Sequence, residues 1–297
     1  MSAMIDFNPM PEVSIIILTF NSEKFIGPCL NSIFIQDYQN QVIVVDNGSK
    51  DSTPNFIKRN YPQVILIENK ENLGSCKARN QGIAIANGKW VLTLDCDVIL
   101  EKEFLNKIVS FAEGSGSSIG MFQPKILNMD RKRIYSCGIH LSGLGRFYDI
   151  GKGKPDNGQF TAPKYIFGAC SAAAFYSRQM LEDIKDDMGY FDERFFFLVE
   201  DVDLASRAQR KGWKALFYPE AVCYHYGNSS SSDKLMRQFF CWRNRKFMLE
   251  KHRLNKLKLA VVFFFYDSPR LVYFFFTNHY VRNEIIKSVP KNEAYEG

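Results

Sequence analysis

A chain of 297 residues is long enough to bury one large core or two smaller ones. Its apolar content of 46% is ordinary for a globular protein, with aromatic side chains enriched to 26 Phe and 14 Tyr. The net charge of +6 is unevenly spread: residues 234–258 hold nine Lys/Arg against one Glu, residues 259–297 balance at four of each sign, and residues 1–233 carry −2, which argues against a generally basic nucleic-acid coat.

From the N-terminus, the run VSIIIL at 13–18 reads as a buried strand ending in Thr19-Phe20-Asn21-Ser22. Asn21 or Ser22 is placed to cap a helix over 23–36, with Phe25, Ile26, Leu30, Ile33 and Phe34 on one face. A second strand at 42–45 runs into Asp46-Asn47-Gly48-Ser49, and Pro54 marks the first turn of the next helix. A third strand covers 64–67. Asn72-Leu73-Gly74-Ser75 then opens a helix over 76–86 that Asn87-Gly88 closes. A fourth strand at 90–94 ends abruptly in Asp95-Cys96-Asp97, and a helix over about 101–112 follows.

Strand and helix thus alternate four times at the spacing of right-handed βαβ units, which implies an α/β fold with a mostly parallel sheet flanked by helices. Thr19, Asp46 and Asp95 each fall at a strand's carboxyl end, the rim where open α/β sheets bind ligands. No GxGxxG follows the first strand, which weakens a dinucleotide-dehydrogenase reading. Beyond residue 113 the alternation stops. Residues 114–120 read as a flexible link, and 131–165 as short strands and loops. FGACSAAAF at 167–175 is a stretch of small residues suited either to close approach of a ligand or to close packing of strands. Glu200-Asp201-Val202-Asp203 opens a helix to about Lys211, with Gly212 at its end.

Asp95 and Asp97 repel one another and are costly to desolvate unless a cation or a donor-rich ligand offsets them. A hard divalent ion, Mg²⁺ or Mn²⁺, that also binds phosphate oxygens would do so. The plainer reading is a turn bearing two solvated acids. Seven cysteines, none in a CxxC pair, point to reduced thiols and a cytosolic setting. The first apolar run is strand-sized, so no signal peptide is expected.

Five stretches taken together carry a resemblance: VSIIILTFNSEKFIGPCLNSI, VIVVDNGSKDST, ENLGSCKARNQGIAIANGKWVLTLDCD, GYFDERFFFLVEDVDLASRAQRKGW and FYPEAVCYHYG. In this order, over about residues 13–228, they resemble the family-two inverting glycosyltransferases of the GT-A fold, especially their rhamnosyltransferase-like branch. The resemblance implies that Thr19, Asn21, Asp46 and Arg79 line the nucleotide pocket, with Asp46 facing the base. It implies Asp95 near the ribose, Asp97 on the metal, Asp201 as the catalytic base, and His225 completing the metal shell. Structural roles compete with several of these: Arg79 as a salt-bridged surface residue, Glu200 as a charge complementing the helix dipole, His225 as a satisfied strand-end histidine, and Asp203–Arg207 as an i, i+4 pair.

The expected function is metal-dependent inverting transfer of a sugar, rhamnose among the candidates, from a nucleotide diphosphate to a hydroxyl of a glycan or lipid-linked glycan in cell-surface polysaccharide synthesis. A nucleotidyltransferase and a non-catalytic sugar-nucleotide or membrane-binding subunit are the alternatives. Residues 1–230 are assigned to the GT-A domain, with a nucleotide-binding half at 13–113 and an acceptor half at 114–230. Residues 231–297 form a basic, aromatic helical tail. A long helix is expected over 232–254, then two apolar runs, 259–266 and 271–276, broken by Asp267-Ser268-Pro269-Arg270. Each run falls short of the roughly 20 residues that span a bilayer. Contact with an anionic membrane through residues 234–276 is expected, at about 1 kcal/mol per Lys/Arg near the surface, with the protein cytoplasmic and peripheral on the inner face of the plasma membrane. Packing of the aromatics onto the catalytic domain or a second subunit is the plainer alternative. No nucleic-acid partner is expected.

Overall fold

A computed structural model describes residues 12–143, 145–227, 233–252 and 260–288. The first strands and helices follow the expected alternation: β1 Val13–Thr19, α1 Ile26–Phe34, β2 Asn40–Asp46, α2 Thr53–Asn60, β3 Ile65–Glu68, α3 Ser75–Ala84 and β4 Trp90–Asp95. Next come β5 Val98–Leu100, α4 Phe104–Glu113, β6 Ile119–Asn128, β7 Ile134–Ser136, β8 Ile139–Leu141, β9 Phe147–Asp149, β10 Lys164–Ile166, β11 Ala173–Ser177, α5 Arg178–Ile184, a 3-10 turn Glu193–Phe195, α6 Glu200–Arg210 and β12 Lys214–His225. Among the described residues, the main sheet runs β10-β12-β6-β11-β4-β1-β2-β3, with β5 on β12 and β7 on β6. β8 and β9 form a separate antiparallel pair.

The chain runs outward from β1 to β2 and β3, then returns to lay β4 on the other side of β1, all in parallel. That reversal of strand order opens a crevice at the carboxyl ends of β1 and β4. Register sets Thr19 beside Asp46 and Leu18 beside Asp95, so the polar strand ends share one rim. β1 is buried almost throughout, and α3 lies close over it because Gly82 has no side chain: a Cβ there would sit 2.5 Å from Ile16 Cγ2.

Several expectations are corrected. α1 begins at Ile26 and not Glu23, because the Ser22 side chain is engaged elsewhere: it donates to the Phe20 carbonyl at 3.1 Å and lies 3.1 Å from the Cys96 thiol. The last two residues of the expected flexible link over 114–120, Ile119 and Gly120, already belong to β6, a buried strand. Gly120 serves close approach there, since a Cβ would meet Met180 at 2.7 Å. The small-residue stretch joins the sheet: Ala173 and Ala174 pair with Leu94 and Thr93. Gly168 admits helix packing, because a Cβ there would lie 2.4 Å from that of Ala205. All seven cysteines are free thiols.

The described residues fall into two compact units, those within 1–141 and 147–230, and those within 142–146 and 231–297. In the second, α7 covers Lys234–Lys251, and Asp233 caps it by accepting from Leu235 N at 3.1 Å. Residues 232, 253 and 254 of the expected helix, and residue 259 of the first apolar run, lie outside the described residues. The two apolar runs are not broken at Asp267. A π-helical turn, Phe263–Asp267, leads directly into α8 Ser268–Thr277, with Pro269 in the tolerated first turn, and α9 His279–Ser288 follows. Arg245 pairs with Asp267 at 3.1 Å and lies over the Tyr266 ring, so it is buried within this unit. Val261, Phe265, Val272 and Phe276 are exposed at spacings of four, seven and four, forming one apolar helical face. No helix among the described residues is long and apolar enough to cross a membrane.

Candidate active site

The site is built where strands end. Thr19 closes β1 with its side chain buried, and its carbonyl accepts from Asn47 N at 2.8 Å. Asn21 adopts φ 51°, a left-handed conformation that Asn tolerates better than most residues. Its Oδ1 accepts from Lys50 N at 2.7 Å, and its own N–H donates to Ser49 Oγ at 2.8 Å, so the loops after β1 and β2 are tied together. Asp46 is buried, with its carboxylate taken up by Ser49 N at 3.0 Å and Ser49 Oγ at 2.5 Å. Burial raises its pKa, and the Ser49 hydrogen bonds oppose that rise.

β5, a three-residue strand that periodicity could not reveal, turns the chain directly after Asp97 and pairs Val98 with His225 of β12. Residues 128 positions apart are thereby brought into contact: His225 Nε2 lies 3.0 Å from Asp97 Oδ1 and 3.9 Å from Asp95 Oδ2. Asp97 is further held by Gly227 N at 3.1 Å, and its carbonyl accepts from Tyr226 N at 3.1 Å. One ligand atom from each of Asp95, Asp97 and His225 falls within 4.8 Å of the others. Two carboxylates and an imidazole nitrogen so gathered fit a hard or borderline divalent cation such as Mg²⁺ or Mn²⁺. The Tyr135 ring meets the His225 ring edge-on at 4.2 Å and restrains its orientation.

Arg79 is 5% exposed, hence not a surface residue. Its Nη2 reaches Asp95 Oδ1 at 3.0 Å and its Nη1 reaches Glu200 Oε1 at 2.6 Å. Burial lifts the pKa of Asp95, while Arg79 and His225 pull it down. Asp201 lies at the start of α6, where Oδ2 accepts from Ser171 N at 3.4 Å and Oδ1 from Val202 N at 2.9 Å. Its neighbourhood touches that of Asp95, whose N–H donates to the carbonyl of Ala172, the next residue after Ser171. Burial first, then Glu200 and Asp149, push the Asp201 carboxyl up to about 7. A carboxylate so placed can accept a proton near neutral pH. Asp203 bonds Arg207 at 2.9 Å, away from this chemistry.

Asp95, Asp97, His225 and Arg79 are therefore joined, and through Glu200 they reach Asp201. Asn21 and Asp46 form a second group through Ser49 at the adjoining strand ends. Sequence reasoning missed Asp149, Ser171 and Tyr135, which come from short or irregular segments without periodic signal. It read Glu200 as a helix-dipole charge or as a rival to Asp201 for the base, and not as the partner of Arg79; the i, i+1 position beside Asp201 was the available clue.

The sequence signature of Glycosyl transferase family 2 matches residues 14–185, more than half of the chain. An uncharacterized glycosyltransferase of Haemophilus influenzae is 27% identical over 236 residues, covering 75% of this chain and 68% of that protein. The N-acetylglucosaminyl-diphospho-decaprenol L-rhamnosyltransferase of Mycobacterium tuberculosis is 27% identical over 222 residues, covering 65% and 68%. A mannosyltransferase from Pyrobaculum calidifontis, solved with GDP-Man and Mn²⁺, superposes with a TM-score of 0.58 at 20% identity, over 82% of this chain and 64% of that one. S. aureus TarS 1-349, solved with UDP-GlcNAc, superposes at 0.57 and 20% identity, over 86% and 73%. The fold is accordingly that of the GT-A glycosyltransferases. The chain belongs to glycosyl transferase family 2.

Proposed function

We propose that this chain transfers a sugar from a nucleoside diphosphate to a hydroxyl of a glycan or lipid-linked glycan, with inversion at the transferred carbon. The observation that carries the reading is the joining of the Asp95, Asp97, His225 cluster to a carboxylate held near neutrality, Asp201, through the buried Arg79–Glu200 bridge. Thr19, Asn21, Asp46, Arg79 and Asp95 line the nucleotide pocket in this reading, and Asp97 and His225, with Asp95 beside them, hold Mg²⁺ or Mn²⁺. When bound, such an ion offsets the charge that builds on the departing diphosphate. Asp201 accepts the proton of the acceptor hydroxyl as its oxygen bonds to the anomeric carbon and the carbon–oxygen bond to the diphosphate breaks. A single displacement inverts that carbon, and a phosphate leaving group needs no strong acid, unlike the alcohol released by a glycoside hydrolase.

The nucleotide sugars and Mn²⁺ in the solved relatives support the donor and the metal. The mycobacterial rhamnosyltransferase supports a rhamnose donor and a lipid-linked acceptor as the first pair to try. Division of labour follows the expected halves, nucleotide at 13–113 and acceptor at 114–230, with the tail on an anionic membrane at the inner face of the plasma membrane. The test is a thermal-shift screen of nucleoside diphosphates with and without Mn²⁺, since a ligand that binds the native state raises its stability by mass action. One nucleotide should raise the melting temperature, more so with Mn²⁺. A flat response to every nucleotide in both conditions would defeat the reading.

A further inference from the structure

The loop that delivers Asp201 has an unusual backbone. Phe196, Leu198 and Val199 have φ of 64°, 67° and 71°, a left-handed region poorly suited to side chains and least of all to β-branched Val199. Such conformations persist only where the surroundings over-determine them, and they cluster at functional sites. Here two clamps, both on α3, hold the loop. The Phe196 carbonyl accepts from Ser75 N at 2.6 Å, Ser75 Oγ at 3.1 Å and Cys76 N at 3.4 Å, so it satisfies N–H groups of the first turn of α3 that would otherwise lack partners. One turn further along, Arg79 grips Glu200 at 2.6 Å, and Ser75 Oγ donates to the same carboxylate oxygen at 3.2 Å. Gly74 permits this approach, because a Cβ there would lie 2.6 Å from the Phe196 ring. The entry to α3 is itself tied to the end of β2: Asn47 Nδ2 donates to the Gly74 carbonyl at 3.2 Å, and its Oδ1 accepts from Leu73 N at 3.0 Å.

We infer that Glu200 is a positioning residue: held by Arg79 and Ser75 of α3, it fixes the loop that delivers Asp201 and places a second carboxylate one residue from it. This rests on the reading of Asp201 as the base and goes beyond it by assigning what sets its strength. The groups that bear on Asp201 come from four elements. Glu200 on its own helix and Asp149 on β9 oppose its ionisation, as does burial against the segment that carries Cys170 and Tyr176. The Ser171 N–H and the Arg79 guanidinium favour ionisation. Removing the Glu200 charge deletes one opposing influence and leaves Arg79 without its nearest counter-charge. Both changes act in the same direction, toward easier ionisation and a weaker base.

The test is carboxyl NMR on the full chain labelled with ¹³C-aspartate, in which the signal absent from Asp201→Asn belongs to Asp201. Glu200→Gln, which keeps the shape of the side chain and an oxygen for Ser75, should lower the titration midpoint of that signal by about one pH unit or more. Arg79→Gln should raise it. Glu200→Asp, which keeps the charge, should leave it near the wild-type value and serves as the charge-retaining control. The acid limb of the pH profile of kcat/KM for transfer should move with the NMR midpoint. If Glu200→Gln fails to fold, the unchanged midpoint expected of Glu200→Asp and the raised midpoint expected of Arg79→Gln still decide the matter. An Asp201 midpoint that moves neither in Glu200→Gln nor in Arg79→Gln overturns the inference, even where Asp201→Asn abolishes transfer. Normal transfer by Asp201→Asn would instead overturn the base assignment itself.

Discussion

Asp97 links the candidate metal-binding cluster, with one carboxylate oxygen 3.0 Å from His225 Nε2 and the other held by the Gly227 N–H. Asp97→Ala should therefore abolish metal-dependent nucleotide binding, and calorimetry showing unchanged affinity and unchanged metal dependence would remove it from the site. Asp201→Asn keeps size and much of the hydrogen bonding but cannot act as a carboxylate base. Donor affinity should survive while transfer falls roughly 10²-fold or more, the usual contribution of a positioned general base. A second consequence needs no substrate. The folded-state pKa of Asp201 stands at about 7, above its ordinary value of about 3.9. Stability from that raised value is fully present at pH below the ordinary value and is lost as pH climbs toward 7. The Asn variant does not ionise, so its melting temperature relative to wild type should rise between pH 4 and pH 8. A constant difference across that range would show that Asp201 is not held near neutrality.

At the scale of elements, α6 is secured by a buried pair of its own. Asp203 is fully buried and bonds Arg207 one turn on, while Arg207 also donates to the carbonyls of Ile184 and Tyr190. Acidic residues fill the first turn of α6 and basic ones the last, matching the helix dipole. Asp203→Asn should cost stability, on the order of 3 kcal/mol, because it leaves a largely covered guanidinium without its buried counter-charge. Chemical denaturation would report the loss, and transfer per folded molecule should stay close to normal. If Asp203→Asn instead kept full stability and lost transfer, the base would be misassigned. The contact of α3 on β1 offers a check on packing: Gly82→Ala forces a methyl against Ile16 and should cost about 1–3 kcal/mol, as overpacking does.

At the scale of the whole molecule, the tail presents exposed aromatic side chains. Phe264, Phe265 and Phe276 are 68%, 83% and 75% exposed, and Lys246 is exposed on α7, whereas Arg245 is committed to Asp267. If the tail rests on an anionic membrane, the full chain should co-sediment with anionic vesicles at low salt and release as salt is raised. Phe265→Ser with Phe276→Ser should weaken binding at every salt concentration, since it removes buried apolar area and no charge. A full chain that stays in the supernatant at low salt would reassign this face to protein contact.

The strands β1 to β4, the helices between them and the start of α6 were legible in the sequence because their signals are local: apolar runs of strand length, Gly and Asn at turns, Pro in a first turn, and acids at a helix start. The eight candidate residues were legible from ordered motifs, through the resemblance those motifs carry. What the sequence could not express was pairing over long separations. The contact of His225 with Asp97 depends on β5, three residues long and too short for a periodic pattern, laid against the end of β12. The start of β6 was hidden because residues 114–120 read as a flexible link, yet Gly120 admits Met180, and the register with β12 shifts after Pro124. The bridge from Asp95 through Arg79 to Glu200 joins a strand end and two helices, and only packing brings three such charges within bonding distance. Local chemistry determined which residues could act. Tertiary structure decided which of them share one low-dielectric neighbourhood, where burial first and then neighbouring charges push a carboxyl up to about 7.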